Sequence, residues 1–430
     1  MQQATNFGIG LPPVIKPLSW HTRGVPTVVP QVRPADVAAA RELLRDVVRP
    51  TPLEMSRWLA TKVGGPAYLK CEHLQRAGSF KIRGAYVRIA RLTPHERSRG
   101  VVAASAGNHA QGVALAARML GTAATVFMPD GAPIVKEKAT RAYGADVRFT
   151  GTTVDEALVA AQEFARESGA VLIHPFDHPD VVAGQGTVGL ELLEQCPDVR
   201  TIVVSTGGGG LLAGIALTVK DARPEVRVVG VQAEGAAAYP ASLEAGHPVA
   251  LEGMSTMADG IAVGRPGDVP FEIIRRQVDD VVTVSEEAMS GALVMLLERA
   301  KQVVEPAGAA GVAAVLDHPE RFEPPVVAVL SGGNIDPLLL LRVIRHGMAA
   351  AGRYLSFRVR IPDMPGALAR LLGELAAADA NVLDVVHERT GSRLHLDEVE
   401  VALQVETRGA EHCERVLAKL RTAHYPVTIA

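Results

Sequence analysis

The sequence predicts an α/β protein with mostly parallel sheets in three layers, followed by a small βαββαβ domain. Short apolar runs recur between residues 101 and 329, and helix-like segments separate them. Continuous Val and Ile runs without in-out alternation favour strands that are covered on both faces, as in a parallel sheet. Beyond about residue 350 the pattern changes to alternating strands and two amphipathic helices. These two patterns together predict the fold class.

The elements follow in a regular order along the 430 residues, a length at which two or three domains are usual. Residues 1–34 are rich in Pro and Gly and are predicted to form an irregular arm. A helix is predicted from Pro34 in PADVAAARELLRDVV. The strands predicted next are VVAAS at 101, AATVFM at 123, ADVRF at 145, AVLIH at 170, TIVVST at 201, VRVVGV at 226 and VVAVLSG at 326. So many strands in residues 35–349 indicate two sheets or subdomains.

Residues 350–430 are predicted to form a domain of their own after a linker, MAAAGRY. A strand runs through Ile361, and PDMPG turns the chain into a helix with apolar residues at Leu368, Leu371, Leu372 and Leu375. NVLDVVH, DEVEVALQVET and YPVTI are predicted strands, with a helix in AEHCERVLAKLRT. Together they give the order βαββαβ, which is that of ferredoxin-like domains.

Composition and charge exclude several classes of function. The net charge of -3 gives no footprint for nucleic acid or an anionic membrane surface, so we expect small molecules and protein partners. No apolar run has the length of a bilayer span, and the N-terminus lacks the pattern of a signal peptide, so a cytoplasmic location is predicted. The three cysteines, Cys71, Cys196 and Cys413, indicate neither a disulfide framework nor a thiolate zinc site.

Three Gly-rich stretches follow predicted strands, namely SAGNHAQG, STGGGGLLAG and SGGN. In parallel sheets ligands bind beyond the carboxyl ends of the strands, so the three stretches are expected to meet at one ligand. The TGGGGL stretch opens a helix, where backbone N–H groups bind anions such as phosphate. Taken alone, a Gly-rich turn is as often a packing turn or a dinucleotide turn.

Lys81, in SFKIRG, lies in a stretch that reads as buried. A lysine ammonium is costly to desolvate unless it is paired, neutral or covalently occupied. The alternative is a surface lysine whose stem lies along the core. An amine beside a phosphate site suggests pyridoxal 5'-phosphate, which needs an amine for its aldehyde and an anchor for its phosphate.

Five motifs in this order resemble the fold type II pyridoxal-phosphate enzymes. They are SFKIRGA (79–85), SAGNHAQG (105–112), TGGGGLLAG (206–214), EPAGAAG (305–311) and SGGN (331–334). The likeness is greatest to threonine ammonia-lyases, also called threonine dehydratases, and it covers about residues 35–430. It implies a tryptophan synthase β-like fold, and the last eighty residues or so resemble the ACT family of regulatory modules.

The resemblance implies a role for each matching residue. Lys81 would hold the cofactor through its amine and later remove the α-proton, and Phe80 would pack against the cofactor. Asn108 would donate to the ring 3'-oxygen, and Ser331 would face the pyridine nitrogen. The phosphate would be held by Gly207, Gly208, Gly209, Gly210 and the Leu211 amide. The substrate carboxylate would be received by Ser79, Ser105, Ala106, Gly107 and Asn108. Glu305 would lie near the cofactor, with a salt bridge as the alternative.

Departures from the family pattern narrow the expected chemistry. Racemases of this fold carry a serine base where this chain has Ala106, so racemisation is disfavoured. Those relatives also bind a divalent metal after the strand at 226, where Gln232 and Ala238 now stand, so no metal is predicted there despite Glu234. His109 is expected to be packed or hydrogen-bonded. His174 and His178 are expected in a loop, because Pro175 and Pro179 interrupt the spacing of a helical pair.

The resemblance thus predicts deamination of L-threonine, and more weakly of L-serine, to a 2-oxoacid and ammonia, in isoleucine biosynthesis or threonine catabolism. The alternatives are β-replacement, as in cysteine synthesis, a serine racemase-like reaction, and a nucleotide-binding dehydrogenase or non-catalytic amino-acid sensor. We expect a homodimer or homotetramer. Isoleucine or valine is predicted to bind the C-terminal module near Asp363, Leu368 and Asn381, unless that module is purely structural.

Overall fold

The computed structural model describes residues 29–389 and 394–429 of the chain. Most of the predicted N-terminal arm, residues 1–28, lies outside the described residues. The chain divides into two compact units between Pro337 and Leu338, ahead of the boundary predicted at 350. Within the described ranges, no helix has the combination of length and apolar content that crossing a bilayer requires.

The N-terminal unit consists of alternating strands and helices. Its strands are β1 (Leu53–Met55), β2 (Ala67–Lys70), β3 (Val101–Ala104), β4 (Ala124–Met128), β5 (Asp146–Phe149), β6 (Val171–Leu172), β7 (Thr201–Ser205), β8 (Arg227–Ala233), β9 (Asp280–Val284) and β10 (Val326–Val329). Its helices are α1 (Pro34–Leu44), α2 (Arg57–Val63), α3 (Lys81–Ala90), α4 (Pro94–Ser98), α5 (Asn108–Met119), α6 (Ile134–Ala142), α7 (Val154–Ser168), α8 (Pro179–Gln195), α9 (Gly210–Ala222), α10 (Ala238–Ala245), α11 (Asp268–Gln277), α12 (Glu286–Met295) and α13 (Pro306–Asp317). Short 3-10 turns lie at Glu72–Leu74, Arg76–Gly78, Glu234–Ala236, Asp259–Ile261 and Pro319–Arg321, and a π-helical turn at Leu296–Ala300.

The strands form two sheets, which confirms the predicted α/β fold. The six-stranded sheet has the order β1-β2-β10-β7-β8-β9 and is parallel except for the β1–β2 pair. The other sheet has the order β5-β4-β3-β6 and is parallel throughout. Every residue of β3, β7 and β10 is buried, because helices cover both faces of these strands.

Glycines let the central helices approach closely. A Cβ added at Gly184 of α8 would lie 2.6 Å from the Cα of Gly84 in α3. A Cβ at Gly112 of α5 would lie 3.1 Å from the carbonyl carbon of Lys81. Because larger side chains do not fit at these crossings, α3 is held tightly against α5 and α8. This packing fixes the start of α3, where Lys81 stands.

The C-terminal unit confirms the predicted βαββαβ order. Its elements are α14 (Pro337–Ala350), β11 (Tyr354–Pro362), α15 (Ala367–Ala376), β12 (Asn381–Glu388), β13 (Glu398–Glu406), α16 (Ala410–Thr422) and β14 (Val427–Ile429). The sheet is antiparallel, in the order β12-β13-β11-β14. Alternate residues of β11 and β13 pack against Leu371 and Leu375 of α15. The predicted linker MAAAGRY begins inside α14, because the Leu-rich segment before it stays helical to Ala350.

Candidate active site

A cavity of about 310 Å³ lies where the carboxyl ends of the two sheets meet. Its walls come from the loops after β3, β7 and β10 and from the start of α3. The predicted site residues in its lining are Phe80, Lys81, Ser105, Ala106, Gly107, Asn108, Gly207, Gly208, Gly209, Gly210, Leu211 and Ser331. Since β7 and β10 are neighbours in one sheet and β3 belongs to the other, the three Gly-rich stretches converge.

Among the residues predicted to bind cofactor or substrate, Ser79 does not line the cavity. Its side chain is fully buried, and its backbone forms a bridge with Gly332 instead. The Ser79 hydroxyl has no hydrogen-bond partner among the described residues. The contact of Ser79 with a substrate carboxylate stays a prediction.

Lys81 is the first residue of α3 and faces the cavity, so it is not a surface lysine. Its Nζ donates a hydrogen bond to the Pro175 carbonyl at 3.0 Å and lies 5.1 Å from the centre of the Phe80 ring. Desolvation lowers the pKa of Lys81 to about 8, although the carboxylate of Glu305 opposes this shift. Near neutral pH the amine is therefore more often uncharged, and more nucleophilic, than an exposed lysine.

The Gly207–Gly210 loop forms a cradle, a concave backbone surface in which there is no room for larger side chains. A Cβ at Gly208 would overlap the Phe176 ring, and one at Gly209, where φ is +97°, would overlap the Tyr239 hydroxyl. The Tyr239 hydroxyl donates to the Gly208 carbonyl at 3.2 Å, which fixes the loop. Because α9 begins at Gly210, its free N–H groups and dipole favour an anion at this point. The cradle fits a phosphate group.

Asn108 and Glu305 form a buried pair at the cavity wall. The Asn108 Nδ2 donates to Glu305 Oε1 at 2.5 Å. Burial raises the pKa of the Glu305 carboxyl above its usual range. Glu305 is thus engaged by an amide, and in the described part of the chain the salt-bridge alternative is not what the structure shows.

The three histidines discussed in the sequence analysis form hydrogen bonds with backbone groups. His109 donates from Nε2 to the Ile173 carbonyl at 2.7 Å, and burial, with the nearby charge of Lys81, lowers its pKa to about 3. His109 is therefore neutral and packed, as predicted. His174 and His178 lie in the predicted loop, where His174 Nδ1 accepts from Asp177 N at 2.7 Å and His178 Nδ1 accepts from Asp180 N at 3.1 Å.

Five further charged or aromatic residues line the cavity, and the sequence analysis did not predict them. They are Lys136, Asp155, Phe176, Asp259 and Arg265. Lys136 Nζ lies 3.6 Å from Asp259 Oδ2, and desolvation raises the pKa of Asp155 to about 6. Phe176 lies within HPFDHP, which drew attention only for its histidines. The others carry no motif, because distant segments bring them together.

Gln232, at which the sequence analysis predicts no metal, is a buried residue near the end of β8. Its Oε1 accepts from the Tyr239 amide at 2.8 Å, and its Nε2 donates to the Ala236 carbonyl at 3.4 Å. The amide of Gln232 thereby ties the end of β8 to the start of α10, and Glu234 is exposed. Across residues 29–389 and 394–429, no three His, Cys, Asp or Glu side chains cluster so as to hold a metal.

The predicted effector residues lie at opposite ends of the C-terminal sheet, because Asn381 is level with Tyr354 at the start of β11 and Asp363 follows the last residue of β11. Asp363 follows β11, with its carboxylate 3.4 Å from Arg389 Nη2 and its backbone amide bonded to the Asp397 carbonyl. Asn381 opens β12 and donates from Nδ2 to Glu406 at 3.3 Å. Leu368 lies on α15, half-buried against the core of the unit.

Comparison with known proteins agrees with this geometry. The family described as Pyridoxal-phosphate dependent enzyme matches residues 44–332, and the ACT domain matches residues 356–422. An L-threonine ammonia-lyase of Thermotoga maritima is 47% identical over 92% of this chain and 98% of its own length. A threonine deaminase structure from T.th. superimposes with a TM-score of 0.68 at 44% identity, over 71% of this chain and 99% of that one. A maize serine racemase structure gives a TM-score of 0.70 at 36% identity, over 73% of this chain and 97% of that one.

The cavity offers the two features that a pyridoxal phosphate needs, an amine of lowered pKa and a glycine cradle for phosphate. The family match spans both of them as well as Ser331. The chain therefore belongs to the pyridoxal-phosphate dependent enzymes of fold type II, and it carries an ACT domain in its C-terminal part.

Proposed function

We propose that this protein deaminates L-threonine to 2-oxobutanoate and ammonia. The observation that carries the proposal is the single cavity that joins Lys81, the Gly207–Leu211 loop and Ser331, in a chain 47% identical to an L-threonine ammonia-lyase. L-Serine, which lacks one methyl group, is the poorer substrate in this proposal, since a methyl in an apolar pocket contributes about 1 to 3 kcal/mol. The reaction serves isoleucine biosynthesis or threonine catabolism in the cytoplasm.

Lys81 holds the cofactor and moves the first proton in this proposal. Bound in the cavity, the cofactor would supply an aldehyde that joins amines and a ring that withdraws electrons from the α-carbon. The Lys81 amine accepts the α-proton when it is uncharged, which its pKa of about 8 allows near neutral pH. The Pro175 carbonyl, 3.0 Å from Nζ, holds the amine in the cavity.

The remaining residues bind and orient. The N–H groups of Gly207–Leu211 would hold the phosphate, Phe80 would pack against the cofactor, and Asn108 would donate to its ring oxygen. The loop of Ser105, Ala106 and Gly107, at the start of α5, receives the substrate carboxylate with its backbone N–H groups.

Ser331 and Ala106 direct the outcome toward elimination. Ser331 is a buried hydroxyl, and a hydroxyl is too weak an acid to protonate a pyridine nitrogen. Negative charge at the α-carbon is then poorly stabilised, and departure of the β-hydroxyl is favoured. Ala106 lines the cavity without a group that donates a proton to the opposite face of the α-carbon. Racemisation, the activity named for the similar maize protein, is disfavoured on this ground.

A substrate panel with the cofactor-loaded protein tests the proposal. We expect 2-oxobutanoate from L-threonine, slower 2-oxoacid release from L-serine, and no D-serine. O-acetylserine with sulfide tests for β-replacement, and cysteine as the main product would replace deamination by that reaction. Dominant D-serine formation would show instead that the cavity racemises despite Ala106.

We also propose that the ACT domain binds isoleucine or valine and regulates turnover. The carboxylate of Asp363 and the amide of Asn381 suit an α-amino acid, which carries one ammonium and one carboxylate, and Leu368 offers apolar contact. The strand register places the two polar residues at opposite ends of the sheet, so an isoleucine that contacts both would lie between the ACT domains of two subunits. A homodimer or homotetramer is part of the same proposal.

A further inference from the structure

Asn334 ends the SGGN sequence after β10, and none of the roles proposed above uses it. Its side chain bridges two segments of the site. The Nδ2 atom donates to the Ala77 carbonyl at 2.7 Å and to Asn108 Oδ1 at 2.8 Å. Asn334 thereby connects the turn that precedes Lys81 to the first residue of α5.

The partners of Asn334 decide which way its amide points. A backbone carbonyl only accepts hydrogen bonds, so the Asn334 atom that faces Ala77 is the NH2 group. The second hydrogen of that group goes to Asn108, so the Asn108 atom that receives it is the oxygen. The Ala77 carbonyl thus favours one orientation of the Asn108 amide, although Asn108 has no direct bond with it.

The NH2 group of Asn108 is consequently turned away from Asn334. One of its hydrogens is accepted by Glu305 Oε1 at 2.5 Å. Asn108 also lines the cavity, so its second hydrogen is available to a bound group.

Glycines at two positions make this arrangement compact. A Cβ at Gly78, where φ is +70°, would overlap the Asn334 amide, and Ala77 before it has a φ of 59°. A Cβ at Gly332 would overlap Glu305 Oε1 and lie 2.8 Å from Asn108 Nδ2. The close contacts of Asn334, Asn108 and Glu305 with the backbone restrict rotation of their side chains.

We propose that Asn334 is a positioning residue that turns the Asn108 amide so that it donates to the ring oxygen of the bound cofactor. This inference rests on the proposed role of Asn108. A donor favours the ionised form of that oxygen, whereas an amide turned the other way would present its carbonyl and favour the protonated form.

A pH titration of the absorption spectrum of the cofactor-loaded protein tests this. In Asn334→Ala the Asn108 amide loses one of its two orienting partners and keeps only Glu305. We therefore expect the pH of the spectral transition to rise by about one unit, a tenfold change in the protonation equilibrium. Asn334→Asp should give the larger rise, because a carboxylate only accepts and draws the Asn108 NH2 away from the cavity. Because an aspartate has nearly the same shape as an asparagine, Asn334→Asp can be used for this test if Asn334→Ala does not fold.

In Asn334→Ala the other charged and titratable groups of the cavity stay in place, so the shift reports on the amide. Besides Lys81 they are Lys136, Asp155, Asp259, Arg265, Glu305 and His109. Asn334→Asp adds a negative charge that itself raises the pH of the transition, so only the part of its shift that is absent in the Asn108→Ala background reports on the amide.

A double variant separates positioning from a structural effect. If Asn334 acts through Asn108, Asn334→Ala should add no spectral shift to Asn108→Ala, and the two effects should not sum. Equal shifts in both backgrounds, or no shift in either Asn334 variant when Asn108→Ala has one, would overturn the inference. An unshifted Asn108→Ala spectrum would overturn the proposed role of Asn108 itself, and the inference with it.

Discussion

At the scale of single residues, the chemistry depends on how burial alters Lys81. The amine is desolvated by the helices around it. The Glu305 carboxylate opposes that effect, but burial drives this carboxylate itself toward its neutral form. Since the neutral amine is the species that attacks a carbonyl, the lowered pKa prepares Lys81 for its cofactor.

The rate at which the cofactor-free protein captures pyridoxal 5'-phosphate should rise with pH and level off above about pH 8. The reason is that the uncharged fraction of Lys81 grows as the pH passes its pKa of about 8. Stopped-flow absorbance at saturating cofactor measures this rate. Lys81→Arg, which keeps the charge, should show no capture. A profile that still climbs steeply toward pH 10.5 would mean that Lys81 is not desolvated.

At the scale of elements, the glycine loop at the start of α9 leaves room for a phosphate group because it has no side chains. Gly208→Ala should weaken cofactor binding about tenfold or more, because the new methyl group overlaps the Phe176 ring and displaces the loop. Equilibrium dialysis of the cofactor gives the dissociation constant. Gly291→Ala is the matched control, since nothing lies within 4 Å of its added Cβ. Equal affinities for the two variants would contradict a phosphate cradle at this loop.

The helix that begins with Lys81 is also anchored by a buried ionic cluster. Arg83 Nε and Nη2 donate to Glu72 at 2.9 and 2.8 Å, and Nη1 lies 2.7 Å from Glu191, which also pairs with Lys70 at 2.6 Å. Arg83, Glu72 and Lys70 are completely buried. The cluster ties α3 to α8, β2 and the Glu72–Leu74 turn.

Glu72→Gln should lower the free energy of unfolding by about 3 to 5 kcal/mol, because it leaves the buried Arg83 charge undercompensated. Denaturant unfolding measures the loss. In the exposed pair of Arg41 and Glu194, the matched change Glu194→Gln should cost less than about 1 kcal/mol. A similar cost for both variants would show that the buried cluster does not stabilise α3.

Strands in which every residue is apolar or small could be predicted from the sequence, because that composition is expected for a strand covered on both faces. β3, β7 and β10 are rich in Val and are buried on both faces, so their composition is sufficient to predict a strand. β2 was not predicted, because it ends in Lys70. A lysine is not expected in a buried strand, and this one is buried because its charge pairs with Glu191 of α8. Motif residues close in sequence could be assigned to the site, whereas Lys136 and Asp259 could not, since their proximity is a product of folding. Whether Ser79 lines the cavity could not be read from its neighbours in sequence, since its backbone pairs with Gly332 from a distant segment.

At the scale of the whole molecule, the two units suggest a catalytic part and a sensing part. If isoleucine binds at Asp363 and Asn381, Asn381→Ala should raise the isoleucine concentration for half-maximal inhibition about tenfold, the effect of a lost hydrogen bond to a charged group. Calorimetric titration should show the same weakening. Glu414→Ala, on the exposed face of α16, is the control. Identical isoleucine responses in all three proteins would remove this effector site.

The central claim is that Lys81 and its cavity convert L-threonine. The most direct measurement is the initial rate of 2-oxobutanoate formation from L-threonine by the cofactor-loaded protein, beside Lys81→Ala prepared in the same way. We expect steady turnover by the first, with one ammonia released per 2-oxobutanoate, and only the background rate from the second. A cofactor-loaded protein that leaves L-threonine unchanged, or a Lys81→Ala variant that still converts it, would contradict the claim.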